Sequence, residues 1–341
     1  MDIKISVVIP MYNGSSRIAK CLENLSNQTF TQKYEVIIVD DASTDDSVEK
    51  VNQMISLFEN ANIFKVIACE TNGRAGTARN IGIEQAKGEY VLFVDQDDYP
   101  DEKLLSELWD LSKEGKIDCV SCNIGDKGGV PYHRVQLGTK DALTAEDRIA
   151  LMKRHGYVFA MLVRRSIIEK YHLYFPTKLM FEDCLYNIGI FSCIESFSNT
   201  EEELYYRETD ENSQTASITK KKLADRIAST KWYMKNFEAN EKVQAHIREV
   251  KEEALYYIYL SSVWWMITDK ECFDDEMIRN AIKDAQNISP NWKEVFQNEK
   301  RFKKLRLRIL KFIYFNPSSY AKVSSIVLWA KGCKSKLSGR K

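Results

Sequence analysis

Several features are missing from this 341-residue chain, and each absence narrows what it can do. "MDIKISVVIP" has no basic segment followed by a long apolar one, so no secretory leader is expected and the protein should remain in the cytosol. The longest uncharged apolar stretch, Ala254 to Thr268, holds fifteen residues, fewer than the roughly twenty a bilayer-spanning helix needs. There is no GxxxxGK[ST], and "NGRAGTARN" (72–80) is not the dinucleotide GxGxxG, which argues against P-loop enzymes and Rossmann dehydrogenases. Cys119 and Cys122 form a CxxC, but no second pair or histidine cluster accompanies it at zinc-site spacing. With Cys21, Cys69, Cys184, Cys193, Cys272 and Cys333 they fit reduced thiols packed as small hydrophobes. His133, His155 and His172 read as structural or exposed. Acidic residues are missing from Lys300 to Lys341, where thirteen Lys or Arg stand. Because the chain is neutral overall, the remainder carries a net charge of −13, and an acidic body with a basic tail suggests a polyanionic partner.

What is present begins with alternation. "ISVVIP" (5–10), "YEVIIVDD" (34–41), "FKVIAC" (64–69) and "YVLFVD" (90–95) are the continuous β-branched runs of parallel strands buried on both faces. Helices are predicted between them. Ser15 to Gln28 puts Ile18, Cys21, Leu22 and Leu25 on one side, Asp45 to Glu59 follows capping residues, and Gly76 to Lys87 follows a glycine turn. The order β-α-β-α-β-α-β predicts an α/β sheet of doubly wound type, whose ligands bind beyond the carboxyl ends of the strands. Tyr12-Asn13, Asp40-Asp41 and Asp95-Asp98 all fall at such ends and should share one edge. The stretch "VDQDD" is chemically demanding, since three carboxylates within four residues repel by several kcal/mol unless neutralised. A bound divalent cation is one solution; a solvated turn before Tyr99-Pro100 is the other.

The ordered set "SVVIPMYN", "QTF", "EVIIVDDASTDDS", "NGRAGTARNIGIEQAKGEYVLFVDQDD" and "FEDCLYN" closely resembles the family 2 glycosyltransferases. The match is strong over about the first 100 residues and continues through "GYVFAMLVRRSIIEK" to Tyr206-Arg207. It implies the GT-A fold, a Rossmann-like, doubly wound mixed sheet. It also implies a metal-dependent enzyme of hexosyltransferase class, moving sugar from a nucleoside diphosphate donor to a hydroxyl with inversion, using Mn2+ or Mg2+; family habit favours a UDP-sugar. By position, the resemblance implies that Pro10 and Tyr12 contact the nucleotide base, that Asp41 accepts a hydrogen bond from it, and that Arg79 helps hold the nucleotide or donor. Asp95 and Asp97 match the family's DxD, with Asp98 beside them, as binders of ribose, metal and diphosphate. Gln96 departs from the family's usual small residue. "FEDCLYN" matches the ED motif, with Asp183 favoured over Glu182 as catalytic base.

The chemistry asks for such parts independently. A leaving nucleoside diphosphate gains charge that a carboxylate-held cation can stabilise, and an acceptor hydroxyl needs a separate carboxylate, raised in pKa by burial, to take its proton. Blander readings compete at each position. Asp41 could cap the next helix, Glu182-Asp183 could simply favour a helix first turn, and Tyr205, Tyr206 and Arg207 could be ordinary packing rather than acceptor-side groups.

From Ser217 the spacing becomes helical. The sequence divides into a catalytic domain at 1–216 (nucleotide-sugar half to about 100, acceptor half beyond), a helical region at 217–299 and a basic tail at 300–341. Trp264 and Trp265 read as core or acceptor-side aromatics. In "KRFKKLRLRILKFIYF", Phe302, Leu305, Ile309, Phe312 and Ile313 lie along one side among basic residues, as on an interfacial helix, and Pro317 ends it. An anionic membrane surface is therefore the expected partner of the tail, and nucleic acid is not, since phosphate alone has no use for an apolar stripe. The function expected is synthesis of a cell-surface polysaccharide or lipid-linked glycan, peripherally at the inner face of the cell membrane. The alternative is a catalytically silent sugar-nucleotide module that docks through its tail.

Overall fold

A computed structural model describes residues 2–126, 131–133, 136–153, 156–208, 217–289, 292–293 and 305–328. Two compact units emerge: Met1–Ser213 with Asn236–Ala245, and Gln214–Lys235 with His246–Lys341.

The first unit is built on an eight-stranded mixed sheet. Its strands are β1 (Ile5–Met11), β2 (Tyr34–Asp40), β3 (Phe64–Ala68), β4 (Tyr90–Phe93), β5 (Tyr99–Pro100), β6 (Cys119–Asp126), β7 (Met161–Arg164) and β8 (Phe197–Arg207), in the order β3-β2-β1-β4-β7-β6-β8-β5. The four apolar runs form the parallel half, with Val7 opposite Val36 and Leu92 in adjacent strands. The acceptor half is mixed: β7 runs antiparallel to β4 and β6, and β6 runs parallel to β8 with a shift at Asn123. Because β1 sits between β2 and β4, the winding direction reverses there, and the crevice beyond the ends of β1 and β4 is the switch point at which such sheets bind ligands.

Helices α1 (Ile18–Ser26), α2 (Ser47–Ile55), α3 (Arg74–Gln85), α4 (Leu104–Leu111), α5 (Ala145–Lys153), α6 (Arg165–Lys170) and α7 (Tyr186–Cys193) complete most of this unit. Helix α1 buries Ile18, Cys21, Leu22 and Leu25, the side its spacing predicts. Helix α3 starts two residues earlier than expected, directly after Gly73; Gly76 lies inside its first turn, and Arg74 carries the left-handed backbone (φ 70°) at the entry. A Cβ on Gly82 would overlap Val8, so α3 lies close on β1 only because that side chain is missing. Residues 138–143 run along β8 and the residues just before it. Gly138 N–H donates to Asn199 Oδ1 at 3.1 Å, Lys140 pairs with Phe197, and Leu143 N–H donates to Glu195 C=O at 2.8 Å. Cys119 and Cys122 are buried in β6. Cys333, His155 and Phe302 lie outside the described residues.

The remaining elements are α8 (Lys220–Phe237), α9 (Glu241–Gln244), α10 (Ile247–Glu253), a π-helical segment (Ala254–Leu260), α11 (Ser261–Thr268), α12 (Asp275–Ile288) and α13 (Leu305–Phe315). The second unit has its own core, including Ile227, Leu255, Tyr259, Val263, Ile278 and Leu310. Trp264 packs against it, whereas Trp265 is 39% exposed. The expected interfacial stripe on α13 needs correction: Leu307, Leu310, Ile313 and Tyr314 enter the core, and Ile309 packs against it. With apolar residues on more than one side of this helix, packing chose a face offset from the predicted one. No helix among the described residues is long and apolar enough to cross a membrane.

Candidate active site

The carboxyl edge of the parallel half is stitched together by side chains. Asn13 N–H donates to Ser43 Oγ, Thr44 N–H to Asn13 Oδ1 and Gly14 N–H to Ser47 Oγ, each at 2.8 Å, tying the loop after β1 to the loop after β2. Asn13 and Ala42 adopt left-handed backbone here (φ 48° and 57°), conformations that cost energy and persist only where surrounding contacts fix them. Tyr12 is half-exposed at this edge, and Pro10 is buried in β1 opposite Val39, beyond the last rung with β4. Asp41 does not cap α2. Its Oδ1 accepts the Gly73 N–H at 2.6 Å, while the Ser47 N–H donates to Asp45. Burial raises the Asp41 pKa, with the Gly73 and Arg74 N–H groups opposing.

The carboxylates after β4 are handled one by one. Asp95 Oδ1 accepts from Arg79 Nη2 at 2.8 Å, and its backbone N–H donates to the Tyr205 hydroxyl at 3.0 Å. Asp98, expected beside Asp95 and Asp97 at the metal, is instead 4% exposed with both oxygens occupied. The Tyr205 hydroxyl donates to Oδ2 at 2.7 Å and the Glu208 N–H to Oδ1 at 3.1 Å. Burial first, then the charge of Asp95, pushes the Asp98 pKa well up. Asp97 is the more open group, its Oδ2 3.7 Å from Arg17 Nη1. Its pKa is raised by burial and by Asp95, with Arg17 and Arg207 pulling back.

Arg79 was expected against the donor; the structure places it between two carboxylates. The guanidinium is 5% exposed and donates through Nη1 to Glu182 Oε1 and through Nη2 to Asp95. Burial alone would lower its pKa, but Asp95, Glu182 and Asp183 together outweigh that, so it stays charged. This is a bridge from the DxD turn to the ED turn, with Arg79 and Glu182 themselves 103 residues apart in sequence.

One face of α3 carries the ED segment. A Cβ on Gly76 would overlap the Pro176 carbonyl and press on Glu182, and Asn80 grips the Phe175 backbone at 2.9 Å through both its oxygen and its nitrogen. Residues 76, 79 and 80 lie on one helical side, so α3 reaches the acceptor segment with three consecutive contacts. Phe181, with left-handed backbone (φ 58°), precedes the two acids, which sit in a turn ahead of α7 rather than in its first turn. Asp183 makes no ion pair among the described residues. Burial, then the charge of Glu182, raises its pKa into the mildly acidic range, with Arg79 opposing.

No three His, Cys, Asp or Glu side chains come together as a metal cage among the described residues. Asp97 and the unengaged oxygen of Asp95 do fit a hard divalent ion of the magnesium kind, which is held by one or two carboxylates and completed by substrate phosphates. Sequence reasoning missed Tyr205 as the anchor of the DQDD turn and Asn80 as the grip on Phe175. A tyrosine or asparagine at the end of an element carries no local mark of a partner so far away in sequence.

The family model for glycosyl transferase family 2 matches residues 6–238. The chain belongs to glycosyl transferase family 2. Among its relatives, poly(ribitol-phosphate) beta-glucosyltransferase of Bacillus spizizenii is 33% identical over 208 residues, covering 60% of this chain and 32% of that protein. Poly(ribitol-phosphate) beta-N-acetylglucosaminyltransferase TarS of Staphylococcus aureus is 30% identical over 220 residues, covering 63% and 37%. The uncharacterized glycosyltransferase EpsJ of Bacillus subtilis is 30% identical over 220 residues, covering 62% of each. The chain thus spans between about a third and just under two thirds of the length of these relatives. The crystal structure of S. aureus TarS 1–349 in complex with UDP-GlcNAc superimposes with a TM-score of 0.72 at 22% identity over 92% of both chains, which identifies the fold as GT-A. The family 2 segment thus contains the whole edge described above, from Pro10 to Asp183.

Proposed function

We propose that this family 2 protein is a divalent-cation-dependent, inverting glycosyltransferase that uses a UDP-sugar donor and a hydroxyl of a cell-surface polysaccharide or lipid-linked glycan as acceptor. The observation that carries this is the different surroundings of the carboxylates: Asp97 part-exposed at the switch point, Asp95 and Glu182 bound to Arg79, and Asp183 raised in pKa with no ion pair among the described residues. Relatives named for poly(ribitol-phosphate) acceptors and a fold match crystallised with UDP-GlcNAc support the donor and acceptor classes.

In this reading Tyr12 and Asp41 receive the base, Pro10 shapes the floor beneath it, and Asp95 and Asp97 would hold the cation. Bound there, the cation supplies positive charge for the departing diphosphate. Asp183 takes the proton of the attacking hydroxyl on the opposite face of the sugar, and Glu182, fixed by Arg79, keeps a second charge beside it. Asp97→Ala should abolish Mn2+-dependent binding of the preferred nucleotide sugar in calorimetry while leaving the melting temperature unchanged, because this half-exposed carboxylate supports no fold contact beyond Arg17. Equal donor binding with and without Mn2+ in wild type would remove the metal from the proposal.

We further propose that the second unit works against anionic lipid at the inner membrane face. Phe312, Phe315 and Ile326 are 53%, 38% and 64% exposed, with Arg308, Lys311 and Lys322 on the same two segments. Exposed apolar side chains among cations suit a leaflet surface, each basic residue adding about 1 kcal/mol near it. The protein should co-sediment with phosphatidylglycerol-containing vesicles and not with pure phosphatidylcholine, and Phe312→Asp with Phe315→Asp should release it. Retention of that double variant on the vesicles would count against this surface.

A further inference from the structure

Gln96 separates the two aspartates of the DxD turn, and its carboxamide reaches across the switch-point crevice to the backbone of Tyr12. The Tyr12 N–H donates to Oε1 at 3.0 Å, and Nε2 donates to the Tyr12 carbonyl at 3.1 Å. The ladder between β1 and β4 has already ended: its last bond runs from Val94 N–H to the Val8 carbonyl at 3.1 Å. Beyond that point no backbone hydrogen bond joins the two chain segments among the described residues. Gln96 supplies one donor and one acceptor to the backbone of a single residue, Tyr12, past the end of the ladder. Space for it exists because residue 14 is glycine. A Cβ there would overlap Oε1 and stand 3.0 Å from Cδ, and Met11 Cγ at 3.2 Å closes the other side.

We infer that Gln96 is a positioning residue for the donor, clamping the base-side loop (Tyr12 to Gly14) to the carboxylate turn (Asp95 to Asp98) in one register, and that Gly14 is its matched partner. The inference rests on the donor-binding reading of this edge. Asp95 and Asp97 are the immediate neighbours of Gln96, so the same side chain that sets Tyr12 against the base sets both carboxylates relative to it. Neither Ser nor Ala at position 96 could span the gap. Glu could span it, but would leave the Tyr12 carbonyl without a donor and add a charge among three aspartates.

The test compares wild type, Gln96→Ala, Gly14→Ala and the double variant for UDP affinity by calorimetry, for donor KM and kcat in sugar-nucleotide hydrolysis, and for melting temperature. Gln96→Ala should weaken UDP and raise donor KM by about tenfold, the net worth of two backbone hydrogen bonds, with kcat changed less than about threefold. Gly14→Ala, by evicting the carboxamide, should do the same. The double variant should be no worse than Gln96→Ala alone, a non-additivity that a general packing defect would not produce. Additive losses, or UDP affinity within about twofold of wild type in Gln96→Ala, would overturn the clamp. A wild type that binds UDP but turns over no sugar nucleotide sinks only the enzymatic reading, and the UDP affinities still decide the clamp. A wild type that binds no UDP removes the donor and the positioning role together. Should the variants melt far below wild type, amide exchange at residues 11–15 of wild type decides: unprotected Tyr12 overturns the clamp.

Discussion

Asp183→Asn should retain donor affinity and lose turnover by about 10²–10⁴-fold, the range that removal of a general base produces. The side chain keeps its size and polarity, so neither the turn nor Glu182 has cause to move. What disappears is the ability to accept a proton. The wild-type pH profile should carry the same signature. The base works ionised, and burial together with the neighbouring Glu182 raises its pKa above the usual carboxylate range. The rate should therefore fall on the acid side through mildly acidic pH, about tenfold per unit below that pKa, rather than holding to near pH 4 as an ordinary aspartate would allow. Single-turnover measurements across pH with saturating donor check this. A residual rate in Asp183→Asn within about tenfold of wild type would move the base elsewhere, with Glu182 the first alternative.

Arg79→Met should be the most destabilising single change at this edge. The substitution preserves length and apolar bulk but leaves Glu182 and Asp95 facing each other without the cation between them, and Glu182 is 9% exposed. Removing one partner from a buried ion pair costs about 3–5 kcal/mol; since the Asp95 side chain is 30% exposed, water will screen part of that and the lower end is expected. For a unit of this size, about 3 kcal/mol corresponds to a fall in melting temperature of roughly 6–12 °C. Arg79→Lys should recover only part of the loss, because one ammonium cannot present two nitrogens in the planar fork that spans both acids. Differential scanning calorimetry of the three proteins measures this. If Arg79→Met melts with wild type and only donor affinity falls, the arginine serves the ligand rather than the fold.

These outcomes rest on features of unequal legibility. The parallel half of the sheet was readable because a strand buried on both faces must be mostly apolar, as β1, β2 and β4 are; β3, expected to be buried likewise, is a part-exposed edge strand. The core side of α1 followed from helical spacing alone. Asp95 and Asp97 stood out as acids at the end of a buried strand, whereas Asp183 was singled out only by the family resemblance. Asp98 was misjudged because in sequence it equals its neighbours, and only the return of β8, bringing Tyr205 and the Glu208 N–H, turns it into a buried anchor. The need for glycine at position 76 was not legible either: the group that approaches it, the Pro176 carbonyl, lies 100 residues away.

By itself, then, the sequence determined the local alternation, the handed winding of the nucleotide half and the presence of acidic ends at one edge. Those properties depend on hydrophobic period and on carboxylates that cannot be buried without partners, and both are written residue by residue. Tertiary structure decided which carboxylate takes which partner. Arg79 pairs with Asp95 and with Glu182, 103 residues on, and Asp98 accepts from Tyr205 of β8 and from the Glu208 N–H, 110 residues on. It also decided that α13 packs inward through Leu307, Leu310, Ile313 and Tyr314. A helix with apolar residues on more than one side can bury any of them, and the choice falls to whichever face the surrounding core complements.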